Sequence, residues 1–557
     1  MTATLVHSCT ARTTRRPLWA HSLAEAATAI DAGRASPADY LEACIARAAE
    51  VDGFVHSYLH LASSEARQKT RELAAVPAAG PLHGLPFGVK ATYDVAGWPS
   101  GSGSRLRRNR IAPTDARLVA QLRAQGAVCL GLLNTWEYGT GNGGEYFDLP
   151  FAPARNPWDT ARFTGGSSSG CGTSVSAGTS LFALGSDTTG SVRLPAAATG
   201  VVGLIPTPGT FSLDGILPNC YSLDTPGTFT RTAADAATLF NVLAPARARV
   251  PDAAQLRETG VRGLRVAVVS DPGAGFPQPD RELSAGFEQA LAVLAHLGAE
   301  LVDVELPASA AECLSVTRLI GPVESASIHE QELRERAGDM GFALRDKLMA
   351  GSLVRAVDYL AALRRRAEIA AQLQALLADF DALLTFGTLH LPPLLGVEPQ
   401  MTAFTVETML TPFNLAALPA MVQCTGFTAA ERPLPLHWQI VGRAGGEAAM
   451  LRVAIAYEQA TAWGERLPQP TGYAPSMPPA PATIGSAVAL PEVAAFAARH
   501  GLGQLAPAHL ERMRDLVEPV ARTAQVLHRV TAKECGPARQ AAPEAAPVPV
   551  APTRLSA

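Results

Sequence analysis

The stretch from Thr164 to Gly203, TGGSSSGCGTSVSAGTSLFALGSDTTGSVRLPAAATGVVG, constrains the fold more than any other part of the chain. It is dense in Gly, Ser and Thr and carries almost no charge. A solvated linker of that composition would be flexible. Here it is interrupted by Leu181, Phe182, Ala183 and Leu184, and again by Val201 and Val202, apolar pieces that require burial. The stretch therefore reads as tightly packed backbone with hydroxyls aimed inward. Buried hydroxyls need partners. Backbone this rich in Gly can also point several N–H groups at one spot, as an oxyanion hole demands.

Composition narrows the function classes. The chain has 557 residues and a formal net charge of −4, which argues against a generic nucleic-acid surface. The densest basic cluster, Arg105, Arg107, Arg108 and Arg110, reads as a solvated loop. The eight Cys are scattered without a C-x-x-C pair, against a Cys-based zinc site and against a disulfide framework. A reduced, cytoplasmic setting is expected. No apolar run reaches the ~18 residues of a membrane span. Arg12, Arg15 and Arg16 precede an amphipathic pattern rather than the apolar core of a signal peptide.

Residues 1–20 read as a flexible leader, 21–468 as the main body, 469–490 as a Pro-rich linker, 491–535 as a small helical module and 536–557 as an Ala/Pro tail. Ser36-Pro37 is an N-cap followed by Pro at the first helical position. Leu85 to Val89 form a short apolar strand that ends at Lys90. Leu264–Val269, a helix over Leu283–His296 and Leu301–Val304 make a βαβ unit, the sign of a parallel or mixed sheet. Ser315–Met349 and Leu353–Leu377 are long helical patterns, and Ser212–Leu223 is a loop. The expected fold class is α/β, a mixed central sheet covered by helices, with a helical C-terminal appendage of two amphipathic helices split at 501–506.

Two familiar motifs match and fail. Gly139, Gly141 and Gly144 satisfy G-x-G-x-x-G, but a dinucleotide site needs a helix to open at the third Gly. The prolines that follow forbid one, so this loop is assigned to the cleft lining, with Gly141, Asn142 and Gly143 as candidate substrate contacts. Gly166, Ser168 and Gly170 satisfy G-x-S-x-G, but that nucleophile elbow requires a strand immediately before it. Loop sequence precedes it instead. Cys171 lies nearby without a His in a dyad motif and reads as a packing residue.

HGLPFGVK (His83–Lys90), GGSSSG (Gly165–Gly170) and GSDTTGSVRLPAA (Gly185–Ala197), in that order, resemble the amidase signature family of serine hydrolases. The resemblance covers roughly Leu23 to Pro468. It implies Ser191 as nucleophile, Ser167, preceded by a cis peptide bond, as the bridging Ser, and Lys90 as base. It also implies an oxyanion hole from the backbone N–H groups of Thr188, Thr189, Gly190 and Ser191. No metal or organic cofactor is implied. Thr189 stands where the family usually has Gly. Either the turn differs or Thr189 occupies an ordinary backbone region, because a β-branched residue is costly at positive φ. Ala91 stands where many members have Asp. Asp187 and Arg193 are expected to brace the turn.

The physical logic runs beside the resemblance. A Lys at its usual pKa of ~10.4 is protonated near neutrality and cannot accept a proton. A dry pocket without a carboxylate disfavours the charge and lowers that value. The expected reaction is amide C–N hydrolysis through an acyl-enzyme on Ser191. The alternatives are a glutaminase-like subunit of a tRNA-dependent amidotransferase and a non-catalytic binding protein on the same fold. The expected partner is a small-molecule amide, with no nucleic acid and no membrane, and homo-oligomerisation stays open. Fold and triad set the reaction class, not the acyl group. The C-terminal module is similar in pattern to small helical partner subunits of some amidase-family enzymes.

Overall fold

Eleven strands form one mixed sheet in a computed structural model that describes residues 16–140, 147–472 and 488–529. In chain order they are β1 (Tyr58–Leu61), β2 (Pro86–Lys90), β3 (Val128–Leu133), β4 (Phe182–Asp187), β5 (Val202–Ile205) and β6 (Thr225–Thr230). They continue with β7 (Arg265–Val269), β8 (Glu300–Asp303), β9 (Ala382–Thr385), β10 (Ala420–Phe427) and β11 (Pro435–Val441). Their spatial order is β1-β3-β2-β4-β6-β5-β10-β11-β9-β7-β8. β2 runs parallel to both β3 and β4, and β7 runs parallel to β8 and β9. The strands between these two parallel patches pair antiparallel. Every residue of β2, β3, β9 and β11 is buried, as strands covered by helices on both faces must be.

Short helices α1 (Ser169–Ala177) and α2 (Arg193–Thr199) flank β4 and are buried along their whole length. That is why, Arg193 apart, these helices carry small or apolar side chains: helices enclosed on all sides need residues that leave no large polar group unpaired. Farther along the chain, α3 (Ala310–Ile328), α4 (Phe342–Leu353) and α5 (Ala356–Leu377) form a helical wall. Beyond the body lie α6 (Leu490–Arg499) and α7 (Pro507–Val526). The helix Pro37–Val55 begins with the expected Ser36 cap, closed into a capping box by Asp39.

The βαβ unit forms with parallel β7 and β8 around the helix Arg281–His296. Three details differ from the sequence reading. β6 lies just past the expected loop, in a segment whose Pro226 and Gly227 hide a central strand. Pro226 pairs with Ser186 of β4, while β5 reaches only Thr228–Thr230, so no ladder bond is lost on that side. The pattern 315–349 is three helices rather than one, interrupted at His329 and again at residues 337–341. Residues 18–20, inside the expected leader, form a 3-10 turn in which Ala20 is fully buried and the neighbouring Trp19 stacks under Arg47. The expected tail, 536–557, and the loop contacts Gly141, Asn142 and Gly143 lie outside the described residues.

Candidate active site

Lys90 ends β2 with its side chain wholly enclosed. Its Nζ donates to Ser167 Oγ at 2.8 Å, to Ser186 Oγ at 3.0 Å and to the Ser186 carbonyl at 3.3 Å. All three acceptors are neutral, and among the described residues no carboxylate reaches Lys90 as an ion pair. Burial lowers its pKa to about 8, with only a partial opposing pull from Cys171, Asp187 and Asp224. About one molecule in ten is then unprotonated at pH 7, so the amine can accept a proton near neutrality.

Ser167 follows a cis peptide bond from Gly166. A side chain at 166 would run into the Trp136 indole, with a Cβ only 2.2 Å from its ring, so the loop can follow this path only with Gly. The Ser167 carbonyl accepts from Trp136 N and from Thr135 Oγ1, at 3.1 and 3.0 Å. Ser168, of the rejected elbow motif, is fully buried and donates to the Ser186 carbonyl, and no strand precedes it. Cys171 is also fully buried, its thiol pushed up to about 12 by burial and donating to the Leu184 carbonyl. Neither competes as a nucleophile.

The turn between β4 and α2 is organised by Asp187. Its carboxylate accepts from Gly190 N at 2.7 Å, Val192 N at 3.0 Å and Asn414 Nδ2 at 2.9 Å. It also pairs with Arg193, both side chains being fully buried. Burial alone would raise this carboxyl; the Arg193 charge and the donated hydrogen bonds outweigh it and hold the pKa below the usual range. Arg193 is held in turn by Gln439, the Leu410 carbonyl and Asn414. Gly190 takes the positive φ of the turn, +125°, and Thr189, exposed, is not among the residues at positive φ. Of the two readings left open for Thr189, the ordinary backbone region is the one observed.

The expected oxyanion donors divide. The Gly190 N–H is committed to Asp187, unlike the expectation for it. The amides of Thr188, Thr189 and Ser191 have no acceptor among the described residues. Ser191 is partly exposed, and its carbonyl accepts from Ser168 N at 3.2 Å. Its hydroxyl makes no hydrogen bond to the described residues. The structure thus joins Lys90 to Ser167 and sets the Ser191 turn against the same loop, without a Ser167–Ser191 hydrogen bond.

A second amine completes the cleft and was not singled out by the sequence. Lys347, on α4, donates to Thr140 Oγ1 and Asn219 Oδ1, both at 2.7 Å. Asn219 Nδ2 reaches Thr188 Oγ1 at 3.1 Å, and Thr188 Oγ1 donates to Asp224 at 2.6 Å. Burial lowers the Lys347 pKa to about 8, against the pull of Cys220 and Asp224. On the opposite side, a Cβ on Gly139 would lie 3.5 Å from Lys90 Nζ, so the chain segment leading to Thr140 joins the two amines. A compositional signal existed: the chain has four lysines, Lys69, Lys90, Lys347 and Lys533, against forty-two arginines. Among the described residues no helix is long and apolar enough to cross a membrane, and no three His, Cys, Asp or Glu side chains gather as a metal site.

A family model described as Amidase matches residues 39–451. A glutamyl-tRNA(Gln) amidotransferase subunit from Myxococcus xanthus is 34% identical, over 79% of this chain and 96% of that relative. Among solved structures, 6-aminohexanoate cyclic dimer hydrolase complexed with substrate superposes with a TM-score of 0.73 at 27% identity, over 81% of this chain and 99% of the other. A structure described as an amidase superposes at 0.70 and 30% identity, over 79% of this chain and 99% of the other.

Proposed function

The chain belongs to the amidase signature family, and from that premise we propose that it is an amidase that cleaves a carboxylic amide to acid plus ammonia or amine. One observation carries this reading: an enclosed Lys90 with no carboxylate partner among the described residues, hydrogen-bonded to Ser167 beside the Ser191 turn.

In the proposed mechanism Ser191 Oγ attacks the amide carbon. Its proton passes through the Ser167 hydroxyl to the neutral amine of Lys90. The carbonyl π electrons move to oxygen, and the developing oxyanion is met by the free amides of the turn, with those of Thr189 and Ser191 best placed in sequence. As the C–N bond breaks, its electron pair goes to nitrogen. Lys90 returns the proton along the same path to the leaving amine. Water then attacks the Ser191 ester by the same route, releasing the acid and restoring the hydroxyl. Asp187 and Arg193 touch no reacting atom in this scheme; they hold the turn.

A second reading rests on the relatives' name: a subunit that releases ammonia from an amide and passes it to a partner acting on charged tRNA. The two readings separate by experiment. Incubation of the purified chain with a fluorophosphonate probe, followed by mass spectrometric mapping, should label Ser191, and labelling should fade in Lys90→Ala. Turnover of an amide library by the isolated chain supports the amidase. Labelling without turnover until a partner is added supports the amidotransferase. No labelling of the folded protein would sink both and leave the binding-protein alternative.

A further inference from the structure

The helices α6 and α7 lie beyond residue 451, where the family match ends. They are nevertheless joined to the body, by Ala524 of α7 in the main core and by a second apolar cluster separate from it. In it Val493, Ala497 and Met513 pack with Leu344, Leu348 and Met349 of α4. Polar contacts cross this seam as well: Arg529, just past α7, pairs with Asp358 of α5, Arg334 donates to the His500 carbonyl, and the pair that reaches α4 is Arg512 with Asp346. Arg512 of α7 brings Nε and Nη2 each to 2.8 Å from Asp346 Oδ2, and the Asp346 side chain is only 3% exposed. Burial pushes the Asp346 carboxyl up. Arg512 and Arg345 oppose that, and Asp148 adds to it.

Asp346 and Lys347 are adjacent on one helix, so their side chains leave the axis about 100° apart. One faces the appended helices; the other faces the cleft. From Lys347 the contacts run to Asn219, from Asn219 to Thr188, and Thr188 opens the turn that presents Ser191. We infer that the C-terminal helix pair braces the nucleophile turn from outside the family's shared body, with Arg512 as a positioning residue acting through Asp346 and Lys347 on Asn219 and Thr188. The inference rests on the reading of Ser191 as nucleophile.

The physical case is one of rigidity. An ammonium group has three donors. Lys347 spends two on neutral acceptors drawn from two separate segments, and keeps its place only while α4 holds its height against the cleft. Asp346 ties that helix to α7 by a charge-assisted pair at a site where an unpaired carboxylate would be costly. With the pair broken, α4 can settle outward and water can reach the Lys347 amine.

With only four lysines, each amine can be followed separately in the full-length protein. Competitive labelling with fluorodinitrobenzene across pH, read by peptide mass, gives the titration of Lys347, with the half-exposed Lys69 as reference. Lys347 should titrate near 8 in the parent. In Arg512→Ala its midpoint should rise by about one unit or more as solvent enters, with Lys69 unmoved. Fluorophosphonate labelling of Ser191 should slow several-fold in the same variant. Arg512→Lys, which keeps the charge, should recover most of both effects. If Arg512→Ala does not fold, Arg512→Gln serves. An unchanged Lys347 titration in a folded variant overturns the brace, and so does a shifted titration with Ser191 labelling at the parental rate. Absence of Ser191 labelling in the parent itself is the separate failure, that of the nucleophile reading, and the Lys347 titration is read without any turnover.

Discussion

Lys90 and Lys347 are the same chemical group under the same pressure. Lys90 is fully buried and Lys347 partly so, each hydrogen-bonds to neutral oxygens, and burial brings each to about 8. Their supports differ. Lys90 sits at the end of a central strand with its partners Ser167 and Ser186 on adjoining segments of the sheet core. Lys347 sits on a helix of the outer wall, held between Thr140 and Asn219 and backed by the appended helices. A lowered pKa therefore marks a dry environment, not a role. What distinguishes the proposed base is its line of hydroxyls toward a nucleophile, while Lys347 is one contact removed from the turn.

The sharpest way to break the comparison is to remove each amine. Lys90→Ala should reduce Ser191 labelling and amide turnover by about 10²–10⁴-fold, the span expected for a general base. A loss under tenfold would deny Lys90 that role. Arg193→Ala tests the other support of the turn. It leaves Asp187 buried and uncompensated, so urea unfolding should show a loss of about 3–5 kcal/mol. A variant of parental stability would mean that the Asn414 and backbone donors suffice alone.

Lys347→Met should act through pH. A lysine that titrates at about 8 when folded and near 10.5 when unfolded binds fewer protons in the folded state between those values. Unfolding free energy therefore rises with pH across that window, and the cost of the enclosed amine is complete below 8. Removing Lys347 should flatten the stability slope between pH 8 and 10. An unaltered slope would show that burial does not lower the pKa of its amine. The smallest effect belongs to Thr189→Gly. Thr189 does not need positive φ here, so restoring the family's usual Gly should change stability by under about 1 kcal/mol and leave Ser191 labelling near the parental rate.

What the sequence made legible follows the same division. The strand ending at Lys90, the Ser-rich loop and the β4–α2 turn are each short local signals in which chemistry and spacing coincide, and the βαβ unit is read from local periodicity. Lys347 has partners 207 and 128 residues away in sequence, and on an amphipathic helix it looks like any solvated lysine. Ser186 stood inside a recognised motif, but its contact with Lys90 depends on β4 lying beside β2, a fact of sheet order. β6 was hidden because Pro226 and Gly227 speak against a central strand, and only the short reach of β5 makes the Pro tolerable. The commitment of the Gly190 amide to Asp187 is likewise a matter of side-chain direction, which spacing alone does not fix.

The seam between the sheet and its helical wall has a mechanical consequence. The loop that bears Asn219 links the turn of Ser191 to the wall, through Thr188 on one side and Lys347 and Ser325 on the other. A shift of the wall is therefore passed to Asn219 first, while Lys90 and Ser186 are held beside each other by the pairing of β2 with β4. The helices past residue 451 act on that same side of the molecule, as ballast set against α4.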